Sequence, residues 1–199
     1  PVCLEIINGS LLGDGHMSKY EIIDSKTARN SKMCIKHSIK QEGYVLYKKF
    51  LFENNGYKVY TRYRQSKSCI EGRKFVSDTI EIITESNENF NAIRKLWYPE
   101  NVKIIPTNLV LTPLTLAIWF MDDGSKHSSG YYLHTQGFTL DDIFLLKLKL
   151  KENLGILSSI HKARQLYNLY IPANSSVLFT KTVLPYMTDS MLYKIHGSH

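Results

Sequence analysis

Two carboxylates stand at similar points in the two halves of the chain, and they are the residues whose placement first suggests chemistry. Asp14 follows an apolar segment and precedes Gly15, and Asp123 follows a second apolar segment and precedes Gly124. Glycine is typical of a helix C-terminus because it tolerates the left-handed conformation that ends a helix. Aspartate is not, because its charge faces the negative end of the helix dipole at a cost of about 0.3–1 kcal/mol. Two such aspartates therefore indicate a shared role.

If the two apolar helices pack side by side, their aspartates form a metal site. Gly9 and Gly13 lie four residues apart on one face of the first helix, which permits close approach of a second backbone. The second helix offers Ala117 for that contact, whereas the bulky Trp119 and Phe120 are interpreted as core residues. Converging carboxylates and unpaired terminal carbonyls would make an all-oxygen site for a hard cation such as Mg²⁺. The alternative is two unrelated turn aspartates.

The elements that must position these aspartates occur in the same order in both halves. In the first half, helices are predicted at Val2–Asp14, Gly43–Asn55 and Asn87–Trp97, with strands at Met17–Asp24, Met33–Ile39, Tyr57–Gln65 and Lys74–Thr84 and a polar loop at Ser25–Lys32. In the second half, helices are predicted at Pro113–Asp123, Leu140–Leu154 and Ser175–Tyr186, with strands at Tyr131–His134, Ile156–Lys162 and Leu166–Ile171. The order predicts an α+β protein of two pseudo-symmetric αββαββα repeats, at residues 1–98 and 113–199, joined by a proline-containing linker at 99–112.

The composition favours a folded protein with a polyanionic partner. The chain has 199 residues and carries 25 Lys and Arg against 18 Asp and Glu, a net charge of +7. No apolar run approaches the roughly 18 residues needed to span a bilayer, so no membrane association is expected. No secretory signal is visible at the start, and the three cysteines fit no zinc-binding spacing, which predicts reduced thiols.

One predicted strand has a basic face. In Tyr57–Lys67 the alternate residues Lys58, Tyr60, Arg62 and Arg64 share one side, and mainly apolar residues share the other. An antiparallel strand pair can enter the DNA major groove, where Arg and Lys read guanine, although a solvated strand face remains the alternative. The full set of predicted DNA-binding residues is Lys26, Arg29, Lys32, Lys36, Lys58, Tyr60, Arg62, Arg64, Lys67, Arg73, Lys74, Lys126, His161 and Arg164. The basic loop Ser25–Lys32 would reach along the groove, whereas the matching connection Ser125–Gly130 is short, so the first half is expected to make more DNA contacts.

The segments that end at Asp14-Gly15 and Asp123-Gly124 resemble the paired signature motifs of LAGLIDADG homing endonucleases, in their intron-encoded, single-chain, two-repeat form. Three flanking stretches resemble the same family: Ile105–Leu109, Thr135–Thr139 and Met191–Lys194. The resemblance runs from about Ile6 to Ile195. It implies that the signature helices pair at the centre and that the two antiparallel sheets form a saddle over DNA.

The resemblance also implies roles for individual residues. Asp14 and Asp123 would bind the catalytic cations, with help from the backbone carbonyls of Gly13 and Asp122. The Asp122 side chain would face elsewhere and serve helix packing or the surroundings of the metal.

Three further positions match active-site residues of the family. Lys103 and Lys194 would polarise the scissile phosphate or lower the pKa of the attacking water, and Gln136 would orient that water. The first repeat has Ser38 where the second has Gln136, which leaves open whether the two half-sites handle water alike.

The activity implied is site-specific cleavage of double-stranded DNA that leaves short 3′ overhangs and promotes intron mobility. The expected cofactor is Mg²⁺, with Mn²⁺ able to substitute and Ca²⁺ binding without supporting cleavage. The expected partner is a long asymmetric DNA site bound by a monomer, and the expected location is a mitochondrion or chloroplast. Two alternatives stay open: an RNA maturase that helps a host group I intron to splice, and a DNA-binding protein without catalysis.

Overall fold

A computed structural model describes residues 2–19, 21–22, 28–70 and 73–197. Its helices are α1 (Val2–Leu12), α2 (Glu42–Asn54), α3 (Glu88–Trp97), α4 (Pro113–Asp123), α5 (Leu140–Leu154), α6 (Ala173–Val183) and the short α7 (Tyr193–His196). Its strands are β1 (Gly15–Met17), β2 (Glu21–Ile22), β3 (Ala28–Arg29), β4 (Met33–Ser38), β5 (Val59–Ile70), β6 (Arg73–Thr84), β7 (Gly124–His127), β8 (Gly130–His134), β9 (Ser159–Ala163) and β10 (Leu166–Ile171).

The two halves have the same sheet topology, which confirms the predicted α+β fold. One antiparallel sheet has the strand order β1-β4-β6-β5, and the other has β7-β8-β10-β9. Gly15 pairs with Ile35 in the first sheet, and Gly124 pairs with Leu133 in the second. Each signature helix therefore leads directly into an edge strand of its own sheet, so the two sheets continue from the two helix ends.

The core is shared by the two halves, because buried apolar residues of both belong to one cluster. Helix α4 is buried over nearly its whole length, and Phe120 packs edge-on against Tyr131 and Phe179 in the second half. Trp119 is also fully buried, so the interpretation of both aromatics as core residues is confirmed. Burial of apolar side chains on every side of α4 fixes the position of its carboxyl end, where Asp123 lies.

Several element bounds differ from the sequence predictions. The region predicted as one strand, Met17–Asp24, with a loop at Ser25–Lys32, holds β1 and a separate two-stranded ribbon of β2 and β3. Helix α1 ends at Leu12, where the Gly13 amide donates to the carbonyls of Gly9 and Ser10. Strands as short as β1, β2 and β3 contain too few residues to show an alternating pattern. The residues that they pair with therefore depend on tertiary context more than on local sequence.

The reason expected for glycine after each aspartate is wrong. Gly124 has φ −101°, and Gly15 is absent from the positive-φ residues, so neither uses the left-handed conformation. Glycine is required for space instead. A Cβ on Gly124 would lie 2.0 Å from the Phe120 ring, and one on Gly15 would lie 2.7 Å from the Ser10 carbonyl oxygen. The left-handed end predicted for α5 is confirmed at Gly155, where φ is 69°.

Candidate active site

The carboxyl ends of α1 and α4 meet at the centre of the molecule through close backbone contact. A Cβ on Gly9 would lie 2.7 Å from Ile118 Cβ, and one on Gly13 would lie 2.3 Å from Asp122 Cβ. Both distances are shorter than side chains tolerate, so the helices approach this closely only because α1 carries glycine at both positions. The predicted side-by-side packing brings Asp14 and the Asp122-Asp123 pair into one site.

Two lysines cover the carbonyl groups at these helix ends. Lys103 Nζ donates to the Gly15 carbonyl at 3.1 Å and to the Gly13 carbonyl at 3.5 Å. Lys194 Nζ donates to the carbonyls of Met121 at 2.6 Å and Asp122 at 2.9 Å. Cations are favourable here because unpaired carbonyls concentrate negative charge at a helix C-terminus. Each of the two carbonyls proposed as metal ligands therefore accepts from a lysine, Gly13 from Lys103 and Asp122 from Lys194.

The site raises the pKa of its two outer carboxyl groups. Partial burial raises the pKa of Asp14, and the adjacent Asp122 carboxylate raises it further. Burial also raises the pKa of Asp123, again with a contribution from Asp122. The Asp14 side chain remains 41% exposed, and Asp123 is half-buried, so both can reach a ligand at the surface of the site. Like charges held together in this way favour a cation between them.

Burial lowers the pKa of both lysines. The pKa of Lys103 falls to about 8, even though Asp123, Asp122 and Asp14 act in the opposite direction. The pKa of Lys194 is lowered for the same reason and opposed by the same carboxylates. Ammonium groups that are partly stripped of water interact strongly with any anion that enters the site.

Asp122 is buried in a network that the sequence did not reveal. Its Oδ1 accepts hydrogen bonds from Lys48 Nζ at 2.5 Å and from the Tyr44 hydroxyl at 2.7 Å. Its Oδ2 accepts from the Asp14 backbone amide at 3.3 Å. The Lys48 and Asp122 side chains are both fully shielded from solvent. Helix α2 of the first half is thereby joined to the end of α4.

His37 completes this network on the side of Asp14. Its Nδ1 lies 3.3 Å from Asp14 Oδ2 and 3.0 Å from Gln41 Oε1, and its Nε2 lies 3.6 Å from Asp122 Oδ1. Burial lowers the pKa of His37, and the Lys48 charge lowers it further. Ligand atoms of Asp14, His37 and Asp122 all lie within 4.8 Å of one another, a grouping able to hold a metal ion.

The sequence contained a signal for part of this network. Tyr44, Lys48 and Phe52 recur at four-residue intervals along α2, and all three are fully buried. A lysine in the middle of an otherwise apolar helical stripe is a candidate for burial with a partner. Nothing in the spacing indicated that the partner is Asp122, 74 residues away.

Gln136 and Ser38 occupy different environments. Gln136 is exposed beside Arg164 in an open cavity of about 670 Å³ at the end of the second sheet. The Ser38 hydroxyl accepts from the Lys40 amide at 3.4 Å and caps the turn that precedes α2. Its local bond gives Ser38 a structural role that Gln136 does not share.

The basic face predicted on β5 is present in the first sheet. Val59 is buried, whereas Lys58, Tyr60, Arg62, Arg64 and Lys67 are exposed. Tyr63 is 61% exposed, against the predicted alternation, and its hydroxyl donates to Glu42 Oε1 at the start of α2 at 2.8 Å.

The first sheet and the β2–β3 ribbon enclose a basic cavity. This cavity of about 670 Å³ is lined by Lys19, Arg29, Lys32 and Arg62, among others. Lys36 is exposed on β4, and it pairs in register with Glu81. Arg29, Lys32 and Arg62 therefore share this cavity, and Lys36 lies in the same row of the sheet as Arg62.

Some predicted DNA-binding residues are placed differently. Lys126 Nζ donates to the Ile195 carbonyl at 2.9 Å and so ties β7 to α7. Lys26 lies outside the described residues, and Arg73 and Lys74 are described only as backbone of β6.

The matching face of the second sheet consists of rings rather than cations. His161 stacks on Tyr170 with ring centroids 4.7 Å apart, and Tyr132 contacts Tyr170 at 4.9 Å. The Tyr132 hydroxyl lies 3.1 Å from His161 Nδ1, and Ser125 Oγ lies 3.0 Å from His134 Nε2. This ring cluster of Tyr132, His134, His161 and Tyr170 is a polar aromatic surface with little formal charge.

No described helix is long and apolar enough to cross a membrane.

Comparison with known proteins identifies relatives of both expected kinds. The chain is 33% identical to the cytochrome b mRNA maturase bI2 of Debaryomyces hansenii, over 96% of this chain and 72% of that protein. It is 32% identical to the protein of the same name from Saccharomyces cerevisiae, of which it spans 47%. It is also 28% identical to a probable intron-encoded endonuclease of Wickerhamomyces canadensis, over 96% of this chain and 82% of the relative.

A solved structure of similar fold carries DNA. The chain superimposes on the homing endonuclease I-WcaI bound to its DNA recognition sequence with a TM-score of 0.81 and 26% identity, over 96% of this chain and 84% of the other. The model of the LAGLIDADG DNA endonuclease family matches residues 4–179. With its paired aspartate-bearing helices and its two matching sheets, the chain belongs to the LAGLIDADG DNA endonuclease family.

Proposed function

We propose that this protein is a metal-dependent homing endonuclease that hydrolyses one phosphodiester on each strand of a specific DNA site. The observation that carries the proposal is the meeting of two aspartate-bearing helix ends beneath two partly buried lysines. The duplicated fold provides this arrangement once for each strand, as cleavage of a duplex requires. Short 3′ overhangs and a role in intron mobility are proposed by analogy with the family.

The donor atoms of the site suit a hard divalent cation. The carboxylates of Asp14 and Asp123 and the carbonyls of Gly13 and Asp122 are the proposed ligands, and all are oxygen donors. We propose Mg²⁺ as the cofactor, with Mn²⁺ as a substitute and Ca²⁺ as an inactive ligand. A bound divalent cation would lower the pKa of a water molecule and stabilise negative charge on the phosphate.

The chain's own residues contribute charge and orientation. Lys103 and Lys194 hold positive charge at the two helix ends, where it can stabilise the extra negative charge of the transition state. Gln136 is proposed to orient water in one half-site. In the other half-site Ser38 caps a turn, so a different group is proposed to orient water there.

Binding is proposed to use the outer faces of both sheets. The basic surface of the first sheet would contact phosphates and guanine, and the ring cluster of the second would make polar and apolar contacts in the groove. The long β5–β6 hairpin supports the expectation that the first half makes more contacts with DNA. A single chain holds both half-sites, which supports a monomer on a long asymmetric target.

A maturase function is the second candidate, because two of the relatives are named as cytochrome b mRNA maturases. The partner would then be the host intron RNA, bound by the same basic surface or another. Those names, together with the intron-encoded relative, support synthesis in an organelle, of which the mitochondrion is the one we propose.

Selection of cleaved sites from a randomised duplex library with Mg²⁺ tests the main proposal. We expect one long site to be cut by the wild type and left intact by an Asp14→Asn/Asp123→Asn variant. If no site is cut, and binding to the host intron RNA survives both substitutions, the maturase function is favoured instead.

A further inference from the structure

The two repeats differ in a buried position that the pairing of the signature helices does not require. Helix α2 begins after Gln41 and α5 after Thr139, and each N-cap has the same spacing from the strand residue, Ile35 or Leu133, that pairs with the glycine after the signature helix. Counted from these N-caps, Lys48 and Leu146 are equivalent, and both are fully buried. The first repeat therefore buries an ammonium group where the second buries an isobutyl group.

The ammonium group of Lys48 forms a hydrogen-bonded ion pair with Asp122, while its charge also acts on the nearby carboxylates of Asp14 and Asp123. It donates to Asp122 Oδ1 at 2.5 Å, and Tyr44 donates to the same oxygen at 2.7 Å. In the first signature helix the residue before the aspartate is Gly13, which has no carboxylate to pair. A buried carboxylate without a partner is unfavourable, so Lys48 and Asp122 depend on each other.

The network continues from Asp122 towards Asp14. Asp122 Oδ2 accepts the Asp14 amide at 3.3 Å, and His37 stands between the carboxylates of Asp122 and Asp14. Among the described residues, none donates a hydrogen bond to the Asp123 carboxylate. The network thus restrains the first aspartate and leaves the second without an equivalent support.

The equivalent residues of the second repeat are engaged elsewhere. Thr135, in the place of His37, donates to the Tyr167 carbonyl at 2.8 Å. Thr139 and Asp142, in the places of Gln41 and Tyr44, form the capping box of α5, and Asp142 also accepts the Ile105 amide. The two repeats therefore differ at several equivalent positions around this network, and not only at Lys48.

Building on the proposed endonuclease function, we propose that Lys48 is a positioning residue for the half of the reaction that depends on Asp14. By holding the Asp122 carboxylate against the Asp14 backbone, it fixes the direction of the Asp14 side chain. Orientation of a reacting group contributes strongly to rate, so loss of this restraint slows one strand cut more than the other. The two phosphodiesters of the target are then hydrolysed at unequal rates in the variant.

The test measures each strand separately on supercoiled plasmid that carries the selected target site, with the two strands distinguished by end labels. Asp14→Asn and Asp123→Asn first identify the strand whose cleavage depends more on Asp14. Lys48→Met keeps the length of the side chain and removes its charge. We expect it to slow that strand about tenfold more than the other, so that nicked circles accumulate. Leu146→Met is the matched control at the equivalent position, with a change of about twofold or less and no strand preference.

A second variant covers the case in which Lys48→Met does not fold. Tyr44→Phe removes the other donor to Asp122 Oδ1 without a change of shape, and it should give a smaller bias towards the same strand. Equal slowing of both strands, or no slowing, in a folded variant that binds the target in Ca²⁺ would overturn the role of Lys48. If the wild type cuts neither strand, the endonuclease proposal fails, and the role of Lys48 fails with it.

Discussion

The two repeats place different chemistry at equivalent positions of the same fold. One row across the first sheet holds Lys36, Glu81 and Arg62, which pair in register. The equivalent row of the second sheet holds His134, Asn168 and His161. Three charged side chains are replaced by three with no fixed charge.

The buried residues beneath the two sheets also differ, with charged or ionisable side chains in the first repeat and uncharged ones in the second. Lys48 of α2 is replaced by Leu146 of α5, and His37 of β4 by Thr135 at the end of β8. The topology does not depend on these residues, because both sheets keep their apolar inner faces and both signature helices keep their contacts. The comparison teaches that duplication fixes the positions of the two aspartates and leaves their surroundings free to diverge.

The largest effect is expected where the two halves are most alike, at the aspartates. Asp14→Asn and Asp123→Asn should each lower the cleavage rate by about a thousandfold, because an amide lacks the charge that binds the cation. Binding should change by about threefold or less, because the sheets carry recognition. Cleavage of labelled duplex in Mg²⁺ and gel shift in Ca²⁺ measure the two quantities. An equal loss of binding and cleavage would show that chemistry and recognition use one surface.

The next effect compares the two lysines at the helix ends. Lys103→Met and Lys194→Met should each reduce the cleavage rate about a hundredfold, since each removes a partly buried cation from the helix ends where the phosphate is proposed to react. Single-turnover kinetics at saturating protein measures the chemical step, and Lys181→Met on the exposed side of α6 is the control. Full activity in one variant and none in the other would mean that only one half-site uses its lysine for catalysis.

A smaller effect compares the two DNA-facing surfaces. Arg62 and His161 occupy equivalent register positions. Arg62→Gln should weaken target binding about tenfold and reduce the slope of log affinity against log salt by about one, because a charged phosphate or guanine contact is lost. His161→Gln should weaken binding less and leave the slope unchanged. Fluorescence anisotropy in Ca²⁺ at several KCl concentrations distinguishes them, and a steeper loss for His161 would reverse the proposed division between the halves.

At the interface of α1 and α4, a glycine of one half packs against a large side chain of the other. Substitutions there are expected to change stability, with the smallest effect on cleavage. Gly9 of α1 faces Ile118 of α4. Gly9→Ala should lower the free energy of unfolding by about 1–3 kcal/mol, because the added methyl group overlaps Ile118 and the Thr115 carbonyl. Ile118→Ala removes the Cγ2 contact at 2.9 Å but keeps the Cβ and Thr115 contacts at 2.7 Å, so the combination should recover only a small part of that loss, which urea denaturation of the four proteins in the cycle measures. Gly137→Ala is the control, because its Cβ would have no heavy atom within 4 Å. Simple additivity of Gly9→Ala and Ile118→Ala would mean that the helices separate to make room.

Much of the fold and part of the site follow from local sequence. The bounds of α5 and β10 match the prediction, and α4 begins at Pro113 after its Thr112 cap. Periodicity, caps and turn residues act over a few positions, so they are visible along the chain. The paired Asp-Gly sequences and the repeated order of elements also located the two aspartates and predicted that they meet.

Only the tertiary structure placed Lys48, Tyr44 and His37 around Asp122. Lys48 lies 74 residues from Asp122 along the chain, and no local pattern relates them. An ammonium group enters the core only when a carboxylate of the other repeat is already there to receive it, so its burial depends on how the repeats dock. The sequence determined the two aspartate-bearing helices, whereas the packing of the two repeats decided that Asp122 is buried against Lys48 of the other repeat.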